Sequence, residues 1–319
     1  MTKKLTLPET AEYLKTHDDY LILTHRRPDG DTVGSAAALC RMLRAIGKRA
    51  AVYPNPQITP KFAPYWTGLT GTGGGTLVSV DVAGPHLFPY GMENAKVDLA
   101  IDHHGTNSGF AARTYADETH AACGEILISL CPLLGARLDR SMGEALYVAI
   151  STDTGCFRYS NVTANTLRTA AELLEAGVDA YAVNRKMFEL KRFARLKLEA
   201  YLTETMRFYA DGRIGVCLIP ADIRRRLGLT EDDVDDISGF ARMIEGVELA
   251  AMLRQMPGAT KLSLRSGRLY DSGAICKRLG GGGHFSAAGA SLHPDPAEAE
   301  RQLLRAIYAI YPELCPAES

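Results

Sequence analysis

Three short apolar runs in the first third of the chain each stop at an ionisable residue: YLILTH at 20–25, TLVSVD at 76–81 and VDLAID at 97–102. The last of them runs straight into two histidines. A fourth apolar stretch, EALYVAISTD at 144–153, has helical spacing and also ends on an aspartate. With KRAAVYP at 48–54, the strand-like runs alternate with helical patterns at 31–47, 119–134, 140–151 and 163–177. Such alternation specifies an α/β fold, a mainly parallel sheet with helices on both faces. In open sheets of this kind ligands gather beyond the carboxyl ends of the strands. His25, Asp29, Asp31, Asp81, Asp102, His103, His104 and Asp153 are therefore expected on one rim.

Carboxylates crowded on a rim repel one another, so a cation is expected among them. Oxygen and imidazole donors without thiolates suit Mn2+, Mg2+ or an Fe/Co-type ion better than a structural zinc. The seven cysteines form no CxxC pair, and their odd number suits reduced thiols in a cytoplasmic protein. The N-terminal segment lacks the apolar core of a signal peptide, and no run reaches membrane-spanning length. No membrane partner is expected. A net charge of −1 argues against bulk binding of polyanions, so any nucleic acid must be met locally and without a long basic track.

At 319 residues the chain exceeds what one core usually supports. A helical pattern over 185–207 reads as a connector, giving a first domain at 1–190, a linker helix at 191–207 and a smaller mixed α/β domain at 208–319. In the latter, FYADGRIGVCLI reads as a hairpin turning at Asp211-Gly212, and VELAAMLRQMPGATKLSLRS as a strand pair around Pro257-Gly258. A helix is expected at 296–310. GTGGGT at 71–76 precedes a strand rather than opening a helix, and GGGGH at 280–284 lacks a following Lys-Ser/Thr, so neither is a nucleotide-binding loop of a common type.

HRRPDGDTVGSA, SVD, DHHGTN and STDTGCFRYSN, in that order, resemble the four motifs of the DHH phosphoesterase superfamily. KLSLRS (261–266) and RLGGGGHFSAAG (278–289) resemble the signature of the DHH-associated domain, type 1. FRYSNVTANTL and EGVELAAMLRQ carry the finer likeness, to the branch acting as oligoribonuclease and 3′-phosphoadenosine 5′-phosphate (PAP) phosphatase. The resemblance implies two metal ions, Mn2+ with Mg2+ or Co2+ as substitutes. His25, Asp29 and Asp81 would hold one; Asp31, Asp81, His103 and Asp153 the other. Asp102 would orient an imidazole and His104 would face the scissile phosphate. Ser263, Arg265, Gly281, Gly282, Gly283 and His284 would bind substrate in a cleft between the domains, the glycine amides approaching an anion. The implied substrates are short oligoribonucleotides and PAP, with cyclic di-AMP or linear pApA as the alternative; a homodimer is left open. Arg27 stands where relatives commonly have Asn, and VAGPHLFPY after Asp81 lacks a basic residue common in this branch.

Overall fold

Short strands separated by long connections leave room for the crossovers that parallel pairing needs. That is the arrangement of the first unit in the computed structural model, which describes residues 2–234 and 237–316 and divides after Leu190. The strands are β1 (Lys3–Lys4), β2 (Tyr20–Leu23), β3 (Ala50–Val52), β4 (Thr76–Val80), β5 (Leu99–Asp102) and β6 (Arg113–Ala116). They form one sheet in the order β1-β6-β5-β4-β2-β3, with every pair parallel. The register pairs Leu23 with Ser79 and Val80 with Ile101, so the carboxyl ends of the three central strands lie level.

Side chains alternate between the two faces of a strand. Tyr20, Ile22, Val78, Val80, Leu99 and Ile101 enter one core with helices α1 (Leu7–Thr16), α2 (Gly30–Ala45), α3 (Cys123–Leu134) and α4 (Arg140–Asp153). Two further helices, α5 (Ala164–Glu175) and α6 (Ala180–Asn184), pack on α4. The opposite face, with Leu21, Leu23 and Ala100, is covered by Val82, Phe88, Val97 and Ala111. Helical cover on that face is reduced to a 3-10 turn, Pro85–Leu87, within the β4–β5 connection.

The α2–α4 contact fixes the site. A Cβ on Gly34 would lie 2.2 Å from the Ala145 carbonyl oxygen, and one on Gly30 would lie 2.2 Å from the Thr152 hydroxyl. Only glycine permits this approach, which brings the start of α2 beside the end of α4.

The continuous helix expected over 185–207 is not formed. A π turn at Arg185–Glu189 follows α6, the backbone is extended at Leu190 and Arg192, and α7 (Phe193–Thr205) then begins. Met187 belongs to the core of the first unit, whereas Leu198 and Leu202 join a core with Cys217, Ile219 and Met252. Two cores claim the two halves of one helical pattern.

The second unit continues with β7 (Arg207–Tyr209), β8 (Ile214–Ile219), α8 (Ala221–Arg226), α9 (Glu231–Val234), β9 (Leu249–Met256), β10 (Ala259–Ser266), α10 (Ser272–Arg278), β11 (Gly282–Gly283), β12 (Ala287–Leu292) and α11 (Pro296–Ile310). Its sheet runs β11-β12-β10-β9-β8-β7, antiparallel except for the β8–β9 pair. The β9–β10 turn is Pro257-Gly258, with Gly258 at φ 78°. The β7–β8 loop holds four residues, 210–213, around Asp211-Gly212. Among the described residues, no helix is long and apolar enough to cross a membrane.

Candidate metal centre

Each ionisable residue of the rim is placed by the end of an element. His25 follows β2. Asp29 is the N-cap of α2, its Oδ1 accepting from the amides of Asp31 (3.1 Å) and Thr32 (3.2 Å). Asp31 sits in the first turn of α2, Asp81 follows β4 with φ 57°, Asp102 ends β5 and Asp153 ends α4.

The side chains converge in groups whose ligand atoms all lie within 4.8 Å of one another: His25, Asp29 and Asp81; Asp31, His103 and Asp153; Asp81, His103 and His104. His25 Nε2 lies 3.5 Å from Asp29 Oδ1 and 3.7 Å from Asp81 Oδ2. His103 Nε2 lies 3.6 Å from Asp31 Oδ2, 3.4 Å from Asp81 Oδ1 and 3.4 Å from Asp153 Oδ2. Asp81 faces both imidazoles with different oxygens.

Its Oδ1 is buried and has no hydrogen-bond donor. A buried carboxylate oxygen without a partner is costly, and a cation among the neighbouring oxygens and imidazole nitrogens would satisfy it. The one thiol packed here, Cys123, faces the Ile101 carbonyl instead. The donor set therefore fits hard or borderline divalent ions such as Mn2+ or Mg2+.

Electrostatics agree. Burial, and then Asp31, Asp29, Asp153 and Asp102 in turn, drive the Asp81 carboxyl well above the usual range. Enclosure by the protein, with Asp31 and Asp29 nearby, does the same to Asp153. Burial also raises Asp31, although His103 offsets part of the effect. Burial would lower the imidazoles, but Asp29 raises His25, and Asp31 with Asp153 raises His103. Without metal, the centre resists full ionisation.

Helix α3 has no capping side chain of its own. Asp31, 92 residues earlier, caps it by accepting from the amides of Cys123 (2.6 Å) and Gly124 (3.1 Å), while Ser35 Oγ donates to Asp31 at 2.9 Å. His103 Nδ1 lies 3.2 Å from the His120 carbonyl, a contact that protonates Nδ1 and leaves Nε2 free to ligate. Asn161 Nδ2 donates to the carbonyls of Asp153 (3.1 Å) and Ala121 (3.2 Å), tying the end of α4 to the approach to α3.

Asp102 is fully buried and accepts from the amides of His103 (2.9 Å) and His104 (3.3 Å) and from Asn107 Nδ2 (2.6 Å). Its Oδ1 also meets His104 Nδ1 at 2.8 Å. Burial would raise this carboxyl, but the hydrogen bond from His104 and its companions hold it below the usual range. Asp102→Asn is expected to cost about 10–100-fold in kcat, the scale of lost outer-shell orientation, with metal content kept. Kinetics paired with metal analysis check this; unchanged kcat would show that the imidazole needs no such partner.

The glycine-rich segment differs from expectation. The amides of Gly280 and Gly281 donate to the carbonyls of Lys277 and Cys276, and that of His284 to Ala287. They are not free to hold an anion. A Cβ on Gly281 would lie 2.1 Å from the Gly289 carbonyl oxygen and one on Gly283 2.4 Å from Ala288 Cα, so both glycines are required by the close approach of β12. Gly282 alone of the three has open space in the Cβ direction. His284 is exposed, while Ser263 and Arg265 lie on β10 across from Gly289 and Ala287, alternating with the core residues Leu262 and Leu264.

Comparison with known proteins accords with this geometry. The N-terminal domain of the DHH family matches residues 19–150, and the DHHA1 domain matches residues 215–311. A Thermus thermophilus protein named bifunctional oligoribonuclease and PAP phosphatase NrnA is 34% identical over 305 residues, 93% of this chain and 92% of that one. The Bacillus subtilis protein of the same name is 23% identical over 297 residues, covering 89% and 93%. An exopolyphosphatase-related protein from Bacteroides fragilis shares the fold, with a TM-score of 0.85 at 21% identity over 97% of both chains. The rim of aspartates and histidines, the two-unit order and these matches place the chain in the DHH family, with a DHHA1 domain following the DHH domain.

Proposed function

We propose that this protein is a cytoplasmic phosphoesterase that hydrolyses short oligoribonucleotides to mononucleotides and removes the 3′-phosphate of PAP, using Mn2+. The observation that carries the reading is Asp81, a buried carboxylate shared between two groups of metal-type donors. The names of the Thermus and Bacillus relatives support the substrate class. The seven cysteines are all unpaired, which suits a reducing compartment.

Divalent ions at such a centre polarise water toward hydroxide and offset the charge that builds on phosphoryl oxygens. The protein supplies the rest. His25, Asp29 and Asp81 would hold one ion; Asp31, Asp81, His103 and Asp153 the other. Four carboxylates against two imidazoles would make a negative rim once ionised, which a phosphate could approach only with cations held there. Asp102 keeps a proton on His104 Nδ1, so Nε2 is the atom presented to the substrate phosphate. Protonated, that nitrogen donates to a phosphoryl oxygen; neutral, it accepts a proton. Within the second unit, Arg265, His284, Ser263 and the backbone around Gly282 would be the substrate contacts, rather than the glycine amides at 280 and 281.

The deciding experiment is product analysis with Mn2+ on pApA, tetramers, 20-mers, PAP and cyclic di-AMP. Dimers and tetramers are expected to turn over at least tenfold faster than 20-mers, because extended strands need a long basic track. PAP should yield AMP and phosphate. Equal rates on 20-mers would overturn the short-substrate reading, and preferential cleavage of cyclic di-AMP would replace it with a cyclic-dinucleotide esterase.

A further inference from the structure

The second unit carries a cavity of about 500 Å3 that contains none of the residues assigned above. Arg278 and Leu279 at the end of α10, Ser291, Leu292 and His293 at the end of β12, and Gln302, Arg305 and Ala306 on α11 line it. We propose that this cavity is a binding site for a small phosphate monoester with a largely apolar or planar body, of which a nucleoside 5′-monophosphate is the size-matched case.

The hydrogen-bond state of the lining selects the ligand. His293 Nδ1 accepts from the Asp295 amide at 3.1 Å, so Nε2 is left as an N–H donor. Gln302 Oε1 accepts from the His293 amide at 3.2 Å, which leaves its NH2 group to donate. Arg278 forms no ion pair among the described residues. Among the described residues Arg305 has only a long one, 3.6 Å to Glu298, a carboxylate that Arg301 already holds at 2.8 Å. Lys261 Nζ, 2.6 Å from Ser291 Oγ, adds positive charge nearby. The side chains facing the cavity thus have donors to spare and acceptors already used. An acceptor-rich anion satisfies such a lining, and two guanidinium groups suit phosphate oxygens in particular.

The apolar residues decide between a bare anion and an ester. Leu279, half-buried at the cavity wall, gives it an apolar edge that inorganic phosphate would leave wet, whereas Leu292 and Ala306 belong to the core beneath. The volume falls within the range of roughly 300–1,000 Å3 usual for small-molecule sites.

The test is equilibrium dialysis of labelled AMP against the full-length, metal-loaded protein, with Arg278→Glu and Arg305→Glu for comparison. Both arginines are exposed and far from any core role, and melting curves verify folding. Each variant is expected to weaken one class of AMP site about tenfold or more, the scale of a lost charge-assisted hydrogen bond, with kcat on pApA unchanged. Unlabelled phenyl phosphate, an ester with a planar apolar body, should compete better than inorganic phosphate. Unaltered AMP binding in both variants would overturn the proposal. So would inorganic phosphate competing as well as the esters, which would make the cavity a simple anion patch. Competition by RNA oligomers alone would assign it to nucleic acid instead.

Discussion

Asp81→Ala is expected to lower kcat/KM on pApA by at least about 10³-fold, the scale seen when one indispensable member of a catalytic unit is removed. The residue is 2% exposed and stands between His25 and His103, one oxygen toward each. On the proposed ligand sets, removing it would take an anionic ligand from both metal groups at once, whereas Asp29→Ala would impair one. Metal analysis should show less than half the wild-type content. The isosteric Asp81→Asn separates function from stability. It should be as inactive, yet in chelator it should melt above the wild type near neutral pH, because burial and four neighbouring carboxylates all oppose ionisation of Asp81. Turnover within tenfold of wild type by either variant would refute the shared-ligand mechanism.

Much of the rim was legible because His25, Asp81 and Asp102 to His104 follow apolar strands whose carboxyl ends a parallel sheet sends to one side. Asp153, at the end of a helix, is brought there by the close α2–α4 approach at Gly30 and Gly34. What lay outside that rule was hidden. Strand β1 is two lysines, β6 is RTYA and β11 two glycines, none with the apolar signal of a buried strand. Helix α1 carries a local signal of its own, the Thr6–Glu9 capping box with a proline inside it. The capping of α3 by Asp31 had none, since the partners are 92 residues apart. The periodicity of 185–207 is continuous in sequence, and only the sorting of Met187 and Leu198 into different cores breaks it. The glycines of 281–283 carried an ambiguous signal. A missing Cβ serves an anion or a neighbouring strand equally well, and β12 takes two of the three.

Chelation is expected to abolish activity and to give the protein an inverted pH dependence of stability. Asp31, Asp81 and Asp153 are raised in the folded state, so their contribution is full below about pH 4 and is lost as pH rises through the raised values. His25 and His103 are raised as well; their contribution is full below about pH 6.5 and fades as pH climbs past the folded values. Both sets act in the same direction. Asp29 and Asp102 oppose them only in acid, because lowered carboxyls lose their contribution as pH falls below about 4. Metal-free protein should therefore melt higher near pH 5.5 than near pH 8. Excess Mn2+ should reverse the order, since its ligands must be deprotonated to bind and its charge pairs with carboxylates that otherwise repel. At about 100 times Kd, one ion adds roughly 2.7 kcal/mol. For a unit of this size that corresponds to roughly 5–10 °C in Tm. Thermal unfolding at both pH values, with EDTA and with Mn2+, makes the comparison. If the chelated protein is as stable near pH 8 as near pH 5.5, the carboxylates are not held against their charge and the rim is not a metal centre.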